Sequence, residues 1–444
     1  MDTPILDFVR QYADKKTDRF HMPGHKGKSV LGFEEWDITE VKGADALYEA
    51  DGIIAKSEAN ATALFGSGKT LYSTEGSSQC IRAMLYLALT HRKAGTPPVV
   101  VAARNVHKAF VYAAALLDIE VIWLWPESSN SLCGCPVSAA QLEATLQDLP
   151  APPAAVYLTS PDYLGGMAEI TALAEVCHRY GTLLLIDNAH GAYLKFLSPS
   201  LHPLDLGADL CCDSAHKTLP VLTGGAYLHI AKKAPRELCD HTKGAMALFG
   251  STSPSYLTLT SLDACNAELS GDYPKQTAEA VARLCSLKKK LTKAGWFVEE
   301  SDPLRLTLRA TEQLTGMELS ELLRQNNMEC EYADDDFLVL MLTPRNDPKD
   351  LLRLLDVLGT NDAPAAMPKA LPNIKAEQAV SIREALFAPH ELVSAEKALA
   401  RICGTPTVAC PPAIPIAVSG ERITAEAVNL FLRYGVTQID VLKE

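Results

Sequence analysis

Short apolar runs alternate with amphipathic segments through the first half of the chain. Between about residues 59 and 260, apolar runs rich in β-branched residues end in polar or turn-forming residues: PVVVAARN, EVIWLWP, AAVYLTSP, TLLLIDNAH and LCCDSAHK. The segments between these runs, such as QCIRAMLYLALTHRK and TALAEVCHRYG, repeat apolar residues at helical spacing. This alternation predicts an α/β fold, in which helices cover both faces of a mainly parallel sheet.

The pattern changes after Leu262, where a long helix is followed by the strands LRLTLRA and FLVLMLTP and by further helices. We therefore predict an amino-terminal arm at residues 1–58, a large domain at 59–260 and a smaller α+β domain at 261–362. The Ala/Pro-rich stretch TNDAPAAMPKALPN has the composition of a linker. A carboxy-terminal α+β domain is predicted at residues 376–444.

Composition and charge narrow the class of protein. The chain has no basic leader before an apolar core and no run of about 18 apolar residues, so we expect a cytoplasmic protein without a membrane partner. Its 12 cysteines show no paired zinc-type spacing, which favours buried, reduced thiols and no metal site. A formal charge of −13 repels nucleic-acid phosphates and favours a small cationic substrate.

The strongest chemical signal is a carboxylate and an amine at the ends of two predicted strands. Asp187 ends TLLLID and Lys217 follows LCCD, and ligands of parallel sheets collect at such strand ends. A pyridoxal cofactor needs a lysine to hold it as an imine and an acid to keep its ring nitrogen protonated. A lone lysine is more often a solvated loop residue, but Ser214 and His216 beside Lys217 are suited to a phosphate and favour the cofactor role.

Two further segments fit the same ligand. Gly76, Ser77 and Ser78 open a predicted helix, where backbone amides and hydroxyls bind anions such as phosphate, although an ordinary helix cap has the same composition. His107 follows the strand PVVVAARN and is placed to stack on a planar cofactor. The alternative for His107 is a histidine that merely starts a helix at the surface.

Two other motifs suggest binding sites that their details do not support. FGSGKT looks like the end of a nucleotide-binding P-loop, but Ala63 stands where the motif requires glycine and the segment precedes its strand. HMPGHKG places His21 and His25 four residues apart, but the intervening proline and glycine prevent the helical geometry of a metal pair. We interpret this segment instead as a rigid, glycine-rich loop that reaches towards a polar site.

Taken together, these segments resemble the Orn/Lys/Arg decarboxylase family of fold-type I pyridoxal-phosphate enzymes, in the short form without an amino-terminal wing domain. The resemblance covers nearly the whole chain. The segments that carry it are RFHMPGHKG, ITEVKGADAL, STEGSS, RNVHKAF, TSPDYLGG, IDNAHGAY, DSAHKTLP, STSPSYLTLTSLD and CPPAIPIAVSGE.

The resemblance implies pyridoxal 5'-phosphate as cofactor and a role for each matching residue. Lys217 would carry the cofactor as a Schiff base, Asp187 would contact the ring nitrogen, His107 would stack on the ring and Ala189 would pack on its other face. The predicted phosphate ligands are Gly76, Ser77, Ser78, Ser214 and His216. Thr252 or Ser253 would reach the phosphate of the neighbouring subunit, so the resemblance implies a homodimer with shared active sites and leaves higher assemblies open.

The sequence departs from the family pattern at four positions: Tyr48, Glu49, Glu75 and Cys410. We expect these departures to bear on substrate identity more than on cofactor binding. A carboxylate is expected to bind the distal cation of the substrate. Candidates from the amino-terminal arm are Glu40, Asp45 and Glu49, each of which has the alternative of being an exposed acidic residue.

The expected reaction is decarboxylation of lysine, arginine or ornithine to an amine of polyamine biosynthesis. Lys217 and Asp187 do not by themselves separate a decarboxylase from an aminotransferase or an aldolase of the same fold. A non-catalytic protein that binds pyridoxal phosphate is the alternative from another class.

Overall fold

The computed structural model describes residues 1–126, 129–372, 374–408 and 412–443. Its strands, in chain order, are β1 (Lys69–Ser73), β2 (Val99–Ala103), β3 (Glu120–Leu124), β4 (Ala155–Thr159), β5 (Leu183–Asp187), β6 (Leu210–Asp213), β7 (Ala226–Ile230), β8 (Arg305–Arg309), β9 (Tyr332–Ala333), β10 (Phe337–Met341), β11 (His390–Ser394), β12 (Thr407–Val408), β13 (Pro415–Ala417) and β14 (Gln438–Leu442).

The helices alternate with these strands along the chain. They are α1 (Pro4–Asp14), α2 (Ile53–Phe65), α3 (Gly76–His91), α4 (Lys108–Leu117), α5 (Ala139–Gln147), α6 (Ile170–Arg179), α7 (Ala215–Thr218), α8 (Arg236–Asp240), α9 (Thr242–Leu248), α10 (Tyr256–Leu269), α11 (Tyr273–Lys293), α12 (Gly316–Gln325), α13 (Pro348–Leu358), α14 (Ile382–Phe387) and α15 (Ala425–Arg433). Short 3-10 helices lie at Ala192–Phe196 and Ala395–Ala398.

The chain divides into two compact units. The first unit contains residues 1–93 and 170–277, and the second unit contains residues 94–169 and 278–444. The predicted large domain contributes residues to both units, because its strands β2, β3 and β4 belong to the second. The domain boundaries drawn from the sequence stay predictions.

In the first unit, the strands follow the order β1-β7-β6-β5. β5 and β6 are parallel, whereas β7 is antiparallel to both β6 and β1. The strand residues are almost entirely buried, with Leu184, Leu185 and Ile186 wholly inaccessible. These continuous apolar runs are typical of strands covered on both faces. β7 is not among the runs recognised in the sequence, since two glycines precede it and His229 interrupts its apolar residues.

In the second unit, β4, β2 and β3 lie side by side and are all parallel. Helices separate them along the chain, as the alternating pattern predicts. Every apolar run singled out in the sequence from PVVVAARN to LCCDSAHK therefore forms a strand. The predicted α/β class with a mainly parallel sheet is confirmed.

The rest of the second unit contains smaller antiparallel sheets. β8, β10 and β9 pair in that order, and their inner side chains share a leucine-rich core with α12 and α13. Capping boxes start both helices: Thr315 with Glu318 at α12, and Asp347 with Asp350 at α13. β11 pairs with β14, which is the apolar VTQIDVL segment at the carboxyl end.

Two properties bear on the environment of the protein. Within the described residues, every helix is too short or too polar to cross a lipid bilayer. The cysteines of the same residues are free thiols and most are buried. Burial raises the pKa of Cys177 to about 12, so this thiol stays protonated at neutral pH.

Candidate active site

The strands of the first unit bring three polar residues to one edge of the sheet. β1, β5 and β6 run in the same direction, because β7 is antiparallel to β1 and to β6, and β5 is parallel to β6. Their last residues, Ser73, Asp187 and Asp213, therefore lie at the same edge. The candidate residues that follow each strand are consequently gathered from three distant parts of the chain.

The amino end of α3 lies at this edge. The backbone N–H of Gly76 donates to the carbonyl of Gly224, which precedes β7. The hydroxyl of Ser214, directly after β6, donates to the hydroxyl of Ser77 at 2.8 Å. Two predicted phosphate ligands from separate strands thus meet at the start of a 16-residue helix, where free amides favour an anion.

Gly76 leaves room at this helix start. Its φ of +71° is a backbone conformation that favours glycine. Among the described residues, no heavy atom lies within 4 Å of the position that a Cβ would occupy. A ligand can therefore approach the backbone closely at Gly76.

Asp187 ends β5 and is buried, with 2% of its surface exposed. Its Oδ1 accepts a hydrogen bond from the backbone N–H of Ala189 at 3.1 Å and lies 3.6 Å from the thiol of Cys212. The carboxylate is therefore held in place by the turn that follows its own strand and by the neighbouring strand β6.

Lys217 lies in the short helix α7, and its Nζ is 2.7 Å from Nε2 of His190. His190 follows Asp187 by three residues and is buried. Sequence reasoning missed His190, although the segment DNAHG carries a signal: a histidine in the turn after a strand that ends in an acid. We call Lys217, His190, Asp187, Ser77 and Ser214 the sheet-edge group.

His216 is also fixed at this edge. Its backbone N–H donates to the carbonyl of Gly225, and its ring Nδ1 lies 3.1 Å from the same oxygen. Thr252 and Ser253 are exposed in the loop before α10. The backbone N–H of Ser253 donates to the hydroxyl of Ser251, so this loop is internally bonded.

His107 belongs to the second unit, where it is the N-cap of α4. Its Nδ1 accepts a hydrogen bond from the backbone N–H of Ala109 at 3.1 Å. The ring is partly exposed. The helix-starting geometry is thus present, and the stacking role inferred from the resemblance stays a prediction.

Two of the departures from the family pattern lie close to α3. The hydroxyl of Tyr48 accepts a hydrogen bond from the side-chain amide of Gln79 at 2.8 Å, and burial raises the pKa of Tyr48. The carboxylate of Glu75 accepts the backbone N–H of Ser251. Glu49 is exposed, and Cys410 lies outside the described residues.

A second group of polar residues lies beside this edge and is entirely buried. Asp213 receives hydrogen bonds from Asn188 Nδ2 at 2.6 Å, His202 Nε2 at 3.1 Å and His229 Nε2 at 3.2 Å. His229 Nδ1 in turn lies 2.8 Å from the hydroxyl of Thr70. We call Asp213, Asn188, His202 and His229 the buried aspartate cluster.

The partners of Asp213 set its charge. Burial by itself raises its pKa, but electrostatic interactions and hydrogen bonds with His202 and His229 hold the pKa well below its usual range. Burial lowers the pKa of His229, and Asp213 only partly offsets this effect. Cys211 completes a set with His202 and Asp213 whose possible metal-ligand atoms lie within 4.8 Å of one another. Since the Asp213 oxygens already accept three hydrogen bonds, the geometry favours a structural network.

The FGSGKT and HMPGHKG segments have separate structural roles. FGSGKT forms the end of α2 and the start of β1, with Gly66 as a left-handed C-cap. His21 contacts the hydroxyl of Tyr12, whereas His25 contacts the carboxylate of Asp37. The two histidines of HMPGHKG therefore bind different partners.

Comparison with known proteins identifies the family. The model of the "Orn/Lys/Arg decarboxylase, major domain" family matches residues 3–315. The chain belongs to the Orn/Lys/Arg decarboxylase family. As a member of this family it is a pyridoxal-phosphate-dependent carboxy-lyase, which decides against the aminotransferase, aldolase and non-catalytic alternatives.

Curated relatives match this decarboxylase along almost its whole length. The protein YaaO of Bacillus subtilis (strain 168), described as uncharacterized, is 29% identical over 465 residues, covering 98% of this chain and 94% of its own length. An arginine decarboxylase of the same organism is 26% identical over 472 residues, with 97% and 93% covered. An arginine decarboxylase of Bacillus anthracis is 24% identical, with 96% and 91% covered.

Solved structures show the same fold. The lysine decarboxylase LdcF of Francisella novicida matches with a TM-score of 0.80 at 16% identity, covering 99% of this chain and 81% of that one. Lysine decarboxylase A of Pseudomonas aeruginosa has a TM-score of 0.78 at 19% identity, with 97% and 75% covered. The serine palmitoyltransferase of Sphingomonas wittichii is more distant, with a TM-score of 0.57 at 15% identity, covering 79% of this chain and 82% of that one.

The residues at the sheet edge fit the cofactor of this family. Pyridoxal phosphate requires an amine, an acid and an anion site, and the first unit offers Lys217, Asp187 and the amino end of α3 at one edge. The open space at Gly76 leaves room for a phosphate against the backbone. The donor set is therefore chemically suited to the whole cofactor.

Proposed function

We propose that this decarboxylase acts on a basic amino acid and that the sheet-edge group carries its cofactor. The observation that carries the proposal is the convergence of Lys217, Asp187 and the start of α3 at one edge of the first unit. Arginine is the first candidate substrate, because two relatives that this chain matches over more than nine-tenths of their length are arginine decarboxylases. Lysine and ornithine are the other candidates, and the product is the corresponding amine of polyamine metabolism.

Bound pyridoxal phosphate supplies a ring that accepts the electron pair left on the α-carbon when carbon dioxide departs. Lys217 would hold the cofactor through its amine, and the Asp187 carboxylate would keep a proton on the ring nitrogen. The phosphate would be held by amides, hydroxyls and an imidazole of Gly76, Ser77, Ser78, Ser214 and His216.

The remaining assigned residues orient the ring and the proton. Ala189, whose backbone N–H donates to Asp187, would pack on one face of the ring, and His107 would stack on its other face. Lys217 in its ammonium form, or a nearby histidine, would supply the proton for the carbon that loses carbon dioxide. A positioned proton donor is typically worth a factor of about 10²–10⁴ in rate.

The carboxylates proposed to bind the distal cation differ in their surroundings. Asp45 is buried, and its carboxylate accepts backbone N–H groups of Gly52 and Ile54 at the start of α2. Those hydrogen bonds explain Asp45 as a cap of α2, so it is the weakest of the three candidates. Glu40 and Glu49 are exposed, and the carboxylate of Glu40 accepts a hydrogen bond from the hydroxyl of Thr39. The net charge of −13 also favours the approach of a cation.

The proposed assembly is a cytoplasmic homodimer with shared active sites. Thr252 and Ser253 are exposed, as residues that reach a neighbouring subunit must be in an isolated chain. Large apolar side chains are also exposed in the amino-terminal arm, including Phe20 and Val30. Exposed apolar surface of this kind supports an interface.

Subunit mixing tests the shared site. Lys217→Ala protein and a Thr252→Ala/Ser253→Ala double variant should each be nearly inactive alone. Mixed dimers formed after partial unfolding and refolding should regain activity. One of their two sites then combines the native Lys217 of one subunit with the native Thr252 and Ser253 of the other. No recovery from mixtures that contain heterodimers would contradict the shared site.

An amine-product screen tests the substrate. Purified protein loaded with pyridoxal phosphate is offered arginine, lysine and ornithine without a keto-acid acceptor, and carbon dioxide and amine are both measured. We expect equimolar carbon dioxide and amine from at least one of the three. Turnover that requires a keto acid, or release of neither product from all three, would contradict the proposal.

A further inference from the structure

The amine of Lys217 and the imidazole of His190 form a contact between two groups that can each hold the same proton. Their nitrogens are 2.7 Å apart, within hydrogen-bonding distance, although the residues are separated by 27 positions. A nitrogen–nitrogen contact of this length requires a hydrogen between the two atoms. Either an ammonium donates to a neutral imidazole, or an imidazolium donates to a neutral amine.

The turn after β5 fixes His190 in this position. Asn188 donates to Asp213 from its side chain and accepts the backbone N–H of Gly191 at its carbonyl, while Ala189 donates to Asp187. A Cβ at Gly191 would collide with the side-chain oxygen of Asn188, so the turn requires glycine there. His190 therefore lies in a turn that is anchored on both sides, and its ring is buried.

Lys217 needs to change protonation for the function proposed above. An amine forms a bond to an aldehyde only when it is neutral, and it delivers a proton only when it is charged. A neighbouring group that accepts the proton and later returns it allows Lys217 to be neutral for bond formation and charged for proton delivery. An imidazole is suited to this task, because its ordinary pKa of about 6.5 is near physiological pH.

We propose that His190 is the proton partner of Lys217 in this decarboxylase. One proton moves from the Lys217 ammonium to His190 Nε2, which leaves a neutral amine and an imidazolium, and the reverse transfer restores the ammonium. His190 acts through Lys217 and contributes no bond to the substrate. The inference rests on the proposed role of Lys217 and adds a residue to it.

The first test uses the cofactor-free protein. The rate of acetylation of Lys217 by acetic anhydride is followed by mass spectrometry between about pH 5 and 11. Two interacting groups titrate in two macroscopic steps, so the wild-type rate should show two steps and His190→Gln one. The matched control is His178→Gln, because His178 of the same unit pairs with Asp209 and should leave both steps in place.

The second test uses the cofactor-loaded enzyme. His190→Gln keeps a hydrogen-bonding side chain but cannot hold a proton, so kcat should fall by about 10²–10⁴ with loss of one limb of its pH profile. KM and the dissociation constant of pyridoxal phosphate should stay within about threefold of wild type. Circular dichroism and the cofactor absorbance establish that the variant is folded and loaded, and His190→Ala provides a second variant if His190→Gln is not.

The outcomes separate this inference from the proposed function. A His190→Gln titration that superimposes on the wild-type curve, or an unchanged kcat and pH profile, would overturn the role of His190. A change confined to KM or cofactor affinity would overturn it as well, because His190 would then be a binding residue. If the wild-type enzyme decarboxylates no basic amino acid, the proposed substrate class fails, while the acetylation experiment still decides whether the two groups share a proton.

Discussion

Two groups of polar residues lie side by side in the first unit, and they differ in how their protons are assigned. In the buried aspartate cluster each hydrogen bond to Asp213 has a fixed direction, because a carboxylate only accepts and Asn188, His202 and His229 donate. In the sheet-edge group, Lys217 and His190 meet through nitrogens that can each donate or accept. The first arrangement fixes a structure, whereas the second allows a proton to move.

Burial separates the two groups only in part. The side chains of Asp213, His202 and His229 are entirely inaccessible to solvent. In the sheet-edge group, Asp187, His190 and Ser214 are also buried, whereas Lys217 and Ser77 are partly exposed. The groups are nevertheless connected through the chain, since Asn188 follows Asp187 and Ser214 follows Asp213. We infer that the buried aspartate cluster anchors the two strand ends on which the sheet-edge group is built.

The largest expected effect is that of Lys217→Ala. Loss of the amine removes both cofactor attachment and a proton donor, so kcat should fall by more than about 10⁴ and the imine absorbance should disappear. Lys233→Ala, at an exposed lysine of the same unit, is the control. If Lys217→Ala kept both the absorbance and full turnover, the catalytic role that sets the sheet-edge group apart from the buried aspartate cluster would be wrong.

Asp213→Ala should have the next largest effect, and it should act on stability. The substitution leaves two buried imidazoles without their acceptor, so the free energy of unfolding should fall by about 3–5 kcal/mol. The free energy of unfolding should fall less for Asp213→Asn, because the amide oxygen of asparagine still accepts a hydrogen bond. Urea titrations at pH 7 measure this change, and a wild-type midpoint for Asp213→Ala would show that the cluster contributes nothing to stability.

The buried aspartate cluster also predicts how stability depends on pH. The pKa of His229 is lowered in the folded protein, so below about pH 6.5 the unfolded chain takes up a proton that the folded chain does not. Stability should therefore fall by up to about 1.4 kcal/mol per pH unit as pH decreases from 6.5. Asp213, whose pKa is also lowered, should add a further loss below about pH 4.

His229→Gln tests the loss of stability just below pH 6.5, which is assigned to His229. The variant should be less stable than wild type at pH 7 and should lose less stability between pH 6.5 and 5. Chemical unfolding at several pH values measures both quantities. Parallel wild-type and variant curves would contradict the assignment of a neutral, buried His229.

The smallest expected effect concerns Glu75, a departure from the family pattern at the start of α3. Its carboxylate places a negative charge at a helix end that favours anions, so Glu75→Gln should tighten binding of pyridoxal phosphate by about 0.3–1 kcal/mol, or up to about fivefold in Kd. The amide oxygen can still accept the N–H of Ser251. The difference should shrink at high salt, and weaker binding by Glu75→Gln would show that the carboxylate assists the site.

Much of the fold could be predicted from local pattern. Each apolar run from PVVVAARN to LCCDSAHK became a strand, because a buried parallel strand must be apolar on both faces. β7 was missed, since AYLHI has a histidine at its fourth position and only its pairing with β1 and β6 explains that residue. There His229 is buried between Thr70 and Asp213, a partnership that no local pattern reveals.

The sequence by itself determined the fold class, the family and the residue types suited to the cofactor, because strand periodicity and contiguous motifs are local properties of the chain. Only the tertiary structure decided which polar residues touch one another. Lys217 and His190 meet because β5 and β6 are parallel neighbours. The carboxylate of Asp45 accepts backbone N–H groups at the start of α2. Contacts between distant residues depend on strand order and register, which follow from the packing of the whole unit.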